Sequence, residues 1–400
     1  MTHRVLIIAT MDTKGKETMF LKECLEGEGL GVVIMDAGIR GESLFPVEIS
    51  RYRVAEAAGS ILSEVQNIGH EGKALDVMIT GAIRCAGPLY KNGEIEGVVE
   101  IGGSMGTTLG TAVMRTFPIG FPKVMISTMA SKNTRPFVGT KDILMLHSVC
   151  DLSGLNRITR KVIREGGLAL AGMVKGIKKY VSETSPLVAL STLGTTEACA
   201  LRVREGFEKR GNEVITFHTV GSGGEAMDEL IRDEDVERVV DLSLHEIGDN
   251  LFGGDYDAGP NRALAALEKG VPTLLVPGNT DFLVSGPLAV TKARFPGRRY
   301  HVHNAAISTV ATGPDEMKGI AGRVAEVCKR ARGPVSVLIP MGGFSAFDSP
   351  GGPLEAPEIR RIFSETLKAS LPSGVRCVES QAHINDPEFA ASILEAMDRL

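Results

Sequence analysis

Two loops in the first half of the chain carry the residues best suited to holding a phosphate. The first, TMDTKGKE, places Asp12, Thr13, Lys14 and Lys16 just after the apolar run Val5–Ala9. Backbone N–H groups at a helix start attract anions, and a lysine adds a point charge. Asp12 offers the hard oxygen that Mg2+ prefers. The same residues equally suit a plain helix cap, since Asp and Thr are favoured there. The second loop, EIGGSMGTTLGT, gathers Gly102, Gly103, Ser104, Gly106, Thr107 and Thr108 between an apolar strand and an apolar helix. Glycines let a backbone approach a phosphate closely, and hydroxyls supply further donors. It is neither a Walker loop nor a regular GxGxxG, and the competing reading is a tight turn with close packing. Asp36 ends the second apolar run, about twenty residues past the first turn, where a Rossmann-like site carries an acid for the ribose. A surface pair with Arg40 explains Asp36 equally well. Ser127 and Thr128, in STMASKNTR, are placed to close the pocket.

The second half is richer in polar loops and holds five of the eight histidines. FHTVGSGGEAMDE, SLHEIGDNLFGGDYDAGP, PGNTDF, HNAA, PMGGFSAFDSPGGP and HINDPEF all follow or join expected strands. Their convergence would assemble His218, His245, Glu246, Asp249, Asp281, Asn304, Ser345, Asp348 and His383. Glu246, Asp348 and His383 are the expected catalytic residues on a second, small polar ligand. His301 and His303 alternate and so share a face, but two histidines lack the third ligand of a zinc site. There is no HExxH motif and no GxSxG elbow, so neither a zincin nor an α/β-hydrolase is indicated.

The elements that must position these loops read as parallel α/β units. Leu6–Asp36 aligns without a gap on Val188–His218 at a constant offset of 182 residues, with Thr10 over Thr192, Thr13 over Thr195 and Gly29 over Gly211. Each copy reads strand, Thr-rich turn, helix, Gly, strand. Only the first turn carries Asp12, Lys14 and Lys16; Gly194, Thr196 and Ala198 stand over them. The expectation is two Rossmann-like parallel-sheet domains from a duplication, spanning 1–182 and 183–400, with a hinge at Ser182–Pro186. First-half strands are expected at Val5–Ala9, Val32–Asp36, Ala74–Thr80, Gly97–Ile101, Val124–Thr128 and Ile143–His147. The clearest helices are expected at Lys16–Glu28, Val47–Gln66, Met105–Thr116 and, with a break at its glycines, Leu155–Tyr180. In the second half, strands are expected near Leu187, Val214, Arg238, Thr273, Val335 and Val375.

Composition narrows the classes. The chain has 400 residues, a net charge of -5 and no long basic run, so no nucleic-acid surface is indicated. Six scattered cysteines without a CxxC pair read as reduced thiols of a cytoplasmic protein. No apolar run approaches the ~20 residues that span a bilayer.

The combination of TMDTKGKE, IGGSMGTT, STMAS, DLSGLN, FHTVGSGGEAMDE, SAFDSPGGP and HINDPEFA resembles the Tm-one-like ATP-binding family of bacteria and plants, over essentially the whole chain. This family includes the N-terminal region of a plant tobamovirus-resistance protein. The resemblance implies ATP with Mg2+ in the first of two Rossmann-like domains, and a homodimer. It carries ATP-site roles onto Asp12, Thr13, Lys14, Gly102, Gly103, Ser104, Gly106 and Thr107. It names no reaction. Transfer of a phosphoryl or nucleotidyl group to an unidentified polar metabolite is one expectation. A nucleotide-responsive binding protein with little turnover is another, and a metal-assisted hydrolase in the second half a third. Whether the protein is an enzyme stays open at this point.

Overall fold

The computed structural model describes residues 3–176 and 185–400, which fall into two compact units, Met1–Ser182 and Glu183–Leu400. Most of the expected hinge and the tail of the expected helix to Tyr180 lie outside the described residues.

The first unit is a five-stranded parallel sheet. Its strands are β1 (Arg4–Ala9), β2 (Gly31–Asp36), β3 (Val98–Gly102), β4 (Lys123–Ser127) and β5 (Leu144–His147), in the order β2-β1-β3-β4-β5. The central strands β3 and β4 are buried throughout because both faces are covered, with Glu100 and Lys123 their charged residues. One face packs on the helices Met11–Gly27 and Arg157–Gly176 through Leu21, Leu25, Ile163 and Leu170. The other carries Glu71–Lys91 and Ser104–Met114 through Met78, Ala82, Leu109 and Val113.

Three expectations need correction here. Ala74–Thr80 is helical, not a strand: the buried positions Ala74, Leu75, Met78, Ala82 and Ala86 of Glu71–Lys91 recur at helical spacing. Val47–Gln66 is two short helices, Arg51–Ala57 and Leu62–Gln66, parted at Gly59, whose φ of 84° is left-handed. The helix Arg157–Gly176 is unbroken. Gly166 and Gly167 serve close packing instead, standing against Ile126 and Leu21.

The second unit repeats the plan. Strands β6 (Leu187–Thr192), β7 (Glu213–His218), β8 (Val236–Ser243), β9 (Thr273–Gly278), β13 (Val335–Pro340) and β14 (Arg376–Ser380) form a parallel sheet ordered β7-β6-β8-β9-β13-β14. Its first five strands in sequence follow the order of the first unit, with β6 in the place of β1. Both sheets are Rossmann-like, and shared order is what a duplication leaves. A small antiparallel sheet is the departure: β10 (Phe282–Ser285), β11 (Tyr300–Val302) and β12 (Ser308–Ala311), ordered β10-β12-β11. Sequence reading shows only the alternation at His301 and His303 in this stretch and expects none of the three strands by range. Among the described residues no helix is long and apolar enough to cross a membrane.

Candidate functional site

In a sheet ordered like that of the first unit, the chain leaves β1 toward one face and β3 toward the other. The crevice between their carboxyl ends is the place where such sheets take ligands. A cleft of about 780 Å³ opens there. Its polar end is built from Thr10, Asp12, Thr13 and Lys14 after β1, and from Gly102, Gly103, Ser104 and Gly106 after β3.

Two helices begin at this end, Met11–Gly27 and Ser104–Met114, and neither Thr10 nor Gly103 makes a side-chain cap. The first helix is instead capped from β2, where Asp36 takes Met11 N–H. The first amides of the helix Ser104–Met114 carry partial positive charge at this end of the cleft, whereas Met11 N–H of the other helix is taken by Asp36. Lys14 is half-buried with a kinked backbone (φ -123°, ψ 16°), and among the described residues no ion-pair or hydrogen-bond partner holds its ammonium. The opposite wall is apolar, from Ile39, Val65, Ala74, Leu75 and Met105, with Arg40, Gln66, His70 and Glu71 beside it. Sequence reading missed most of this wall because it lies on the two segments whose structure was misassigned. The helical spacing from Ala74 onward is the signal that finds it.

Expected site residues divide into those that line the cleft and those that support it. Thr107 and Ser127 are fully buried, and their hydroxyls bond each other at 2.5 Å behind the loop. Thr128 donates its N–H to Gly102 O at 3.3 Å and adds no wall to the cleft. Asp36 turns inward. Its Oδ1 accepts Met11 N–H at 3.1 Å and Gly38 N–H at 2.9 Å, and it is 2 % exposed. The ribose role is thereby corrected to that of a clasp, and Arg40 pairs with Glu71 rather than with Asp36. Burial raises the Asp36 pKa above its usual range, and the charge of Asp12 adds to this.

Asp12 lies between the cleft and that clasp. Its Oδ2 accepts Arg40 N–H at 3.1 Å and Gly41 N–H at 3.2 Å. Its Oδ1 is buried without a partner, and a Cβ built on Gly38 would stand 3.0 Å from Oδ1 of both Asp12 and Asp36. An orphaned carboxylate oxygen beside a second carboxylate fits a hard divalent cation, with one oxygen of Asp12 free to give.

In the second unit the polar loops bond mainly to one another. Glu246 is fully buried: Oε2 accepts Arg262 Nε at 2.6 Å, and Oε1 accepts Gly221 N–H at 2.7 Å and Gly224 N–H at 3.2 Å. It occupies the start of the helix Ser222–Asp233 from within the protein. Burial pushes its pKa up, against the pull of Arg262 and these amides. Asp348 accepts Phe344 N–H and Ala356 N–H, both at 2.9 Å, and is 1 % exposed. His383 is half-buried, with Nε2 2.9 Å from the carbonyl oxygen of Ser345 rather than from its hydroxyl. Ser345 Oγ instead donates to Asp281 at 2.7 Å. Glu246 and Asp348 thus have no oxygen offered to a ligand, which corrects their catalytic assignment. His383, Ser345 and Asp348 form no triad. His301 faces Phe347 at 4.3 Å between ring centroids, and among the described residues no group of three metal-ligating side chains exists.

Family models describe the same two pieces. The N-terminal domain of the uncharacterised protein family UPF0261 matches residues 3–179, and its C-terminal domain matches 185–400. A UPF0261 protein of Clostridium tetani is 35% identical over 99% of this chain and 98% of its own length. The tomato (Solanum lycopersicum) ToMV resistance protein Tm-1(GCR237) is 31% identical over 98% of this chain, which spans 55% of that longer protein. Among solved structures, the MurG of Acinetobacter baumannii aligns over the full length of both chains at 13% identity, with a TM-score of 0.23 that carries no argument about ligands. The chain belongs to the UPF0261 family, which also takes in the tomato Tm-1 proteins.

Proposed function

We propose that the first unit binds ATP with Mg2+ at the β1/β3 crevice. One observation carries this reading: the open start of the helix Ser104–Met114 and the unpaired Lys14 meet at the switch point of the sheet. The amides after Gly103 and the Lys14 ammonium hold phosphate oxygens by charge and direction. The wall of Ile39, Val65, Leu75 and Met105 gives the base an apolar seat. Asp12 Oδ1 would hold the Mg2+, which neutralises phosphate charge.

Of the readings that follow binding, a nucleotide-responsive protein with little turnover is favoured over group transfer. The observation behind this preference is that Glu246 and Asp348, the acids expected to do chemistry, are sealed in backbone and arginine contacts. The test is calorimetric titration of the full chain with ATP–Mg, with inorganic phosphate as control, and an assay of ATP consumption on the same sample. Saturable binding without consumption is expected. No heat and no saturation at millimolar nucleotide would end the reading.

A further inference from the structure

Behind the phosphate loop lies a carboxyl group without a partner. Glu100 is the only charged residue of β3 and is fully buried, and neither Oε1 nor Oε2 meets a hydrogen-bond donor. The flanking strands present Ile8 and Met125 beside it. The charges on those strands sit at their far ends: Arg4 is exposed, and Lys123 is tied to Asp142 at 2.8 Å. The helix Ser104–Met114, which covers it, carries no charged residue.

That helix is cut to fit the acid. A Cβ on Gly110 would stand 2.7 Å from Cδ of Glu100, and one on Gly106 would stand 3.1 Å from Oε1. Gly106 also lines the cleft, so a single glycine separates the buried carboxyl from the ligand space. Burial, with no opposing charge beside it, raises the Glu100 pKa well above the usual carboxylate range.

We propose that Glu100 is a proton-linked positioning residue: its neutral form keeps the Gly103–Gly106 loop receptive to phosphate, and its ionised form expels it. The inference rests on the phosphate reading of the cleft. Two negative charges a few ångströms apart across a dry glycine contact repel strongly, because little water screens them. Anion affinity must then fall as Glu100 loses its proton, and phosphate binding must in turn favour the protonated acid.

The experiment titrates the full chain and its Glu100→Gln variant with ATP–Mg at every pH at which both stay folded. The amide copies the neutral acid in shape, so the variant should keep its acid-side affinity throughout. The wild type should weaken by about tenfold or more toward the alkaline side, as a repulsion of this kind predicts. A second readout needs no variant. Titration in buffers of different ionisation enthalpy, corrected for the protons of ATP–Mg, should show proton uptake on binding by the wild type. Binding by both proteins with the same pH profile, or no proton uptake by the wild type, overturns the role of Glu100 and leaves the phosphate site standing. No binding by either protein at any pH overturns the phosphate site and this inference with it.

Discussion

Both terminal nitrogens of Arg262 meet both carboxylate oxygens of Asp241, at 2.6 and 2.7 Å, in the core of the second unit. The third nitrogen of the same guanidinium holds Glu246, and Asp228 lies close enough to feel its charge. Breaking such a set costs more than forming it stabilises, because the remaining charges stay buried. Arg262→Met should lower the stability of the second unit by about 3–5 kcal/mol. Urea denaturation followed by a probe in residues 183–400 measures this. A loss below about 1 kcal/mol, the scale of an exposed pair, would mean that water reaches these acids.

Lys14 is the charged contact that the second unit lacks at the equivalent turn, where Thr196 stands. Lys14→Ala should weaken ATP–Mg binding at least tenfold, about 1.4 kcal/mol, which is the scale of one charge-assisted contact. Calorimetry on the variant decides it. An unchanged dissociation constant would place the phosphates elsewhere.

The glycines of the second loop do different work. Neither Gly103 nor Gly106 has a positive φ. A Cβ on Gly103 meets only Thr128 Oγ1, at 3.9 Å, whereas one on Gly110 runs into Glu100. Gly103→Val should fold with a midpoint within a few degrees of wild type, yet lose ATP–Mg binding because the new side chain fills the cleft. Gly110→Ala should cost about 1–3 kcal/mol by overpacking, and less in a Glu100→Ala background. Equal thermal loss in Gly103→Val and Gly110→Ala would contradict this division.

His245 should make the second unit acid-sensitive. Burial lowers its pKa from 6.5 to about 4, and its Nε2 lies 2.5 Å from Thr219 O. The folded state therefore holds fewer protons than the unfolded state between those values. Its contribution to stability is complete above about pH 6.5 and is lost as pH falls through about 4. Denaturation at pH 7 and pH 5 should differ by on the order of 2 kcal/mol from this residue. His245→Asn should remove that increment, and an identical acid slope in the variant would assign it to other groups.

The sheets were legible because strands covered on both faces are short runs of mostly apolar, β-branched residues, as at Val5–Ala9 and Val335–Ile339. Ala74–Thr80 misled for the same reason: a short apolar run does not reveal its period until Ala82 and Ala86 are counted with it. At the cleft, residue type and spacing located the two loops that build its polar end but not the direction of each side chain. Asp36 has the spacing of a ribose ligand, yet Met11 N–H and Gly38 N–H claim it. In the second unit, a sealed polar network and an open site use the same residues, so Glu246 and Asp348 looked catalytic. Glu100 was visible all along as one acid in an apolar strand, and only the glycines above it explain its presence.

The bonds from Asp12 to Arg40 and Gly41 make the loop after β2 a reporter on the first helical turn. While the carboxylate accepts those two amides, their hydrogens are shielded from exchange with solvent water. A cation drawing Asp12 toward itself would loosen that hold, and the Arg40 and Gly41 amides would exchange faster. Two backbone signals would thereby report a cation at Asp12 from the loop after β2.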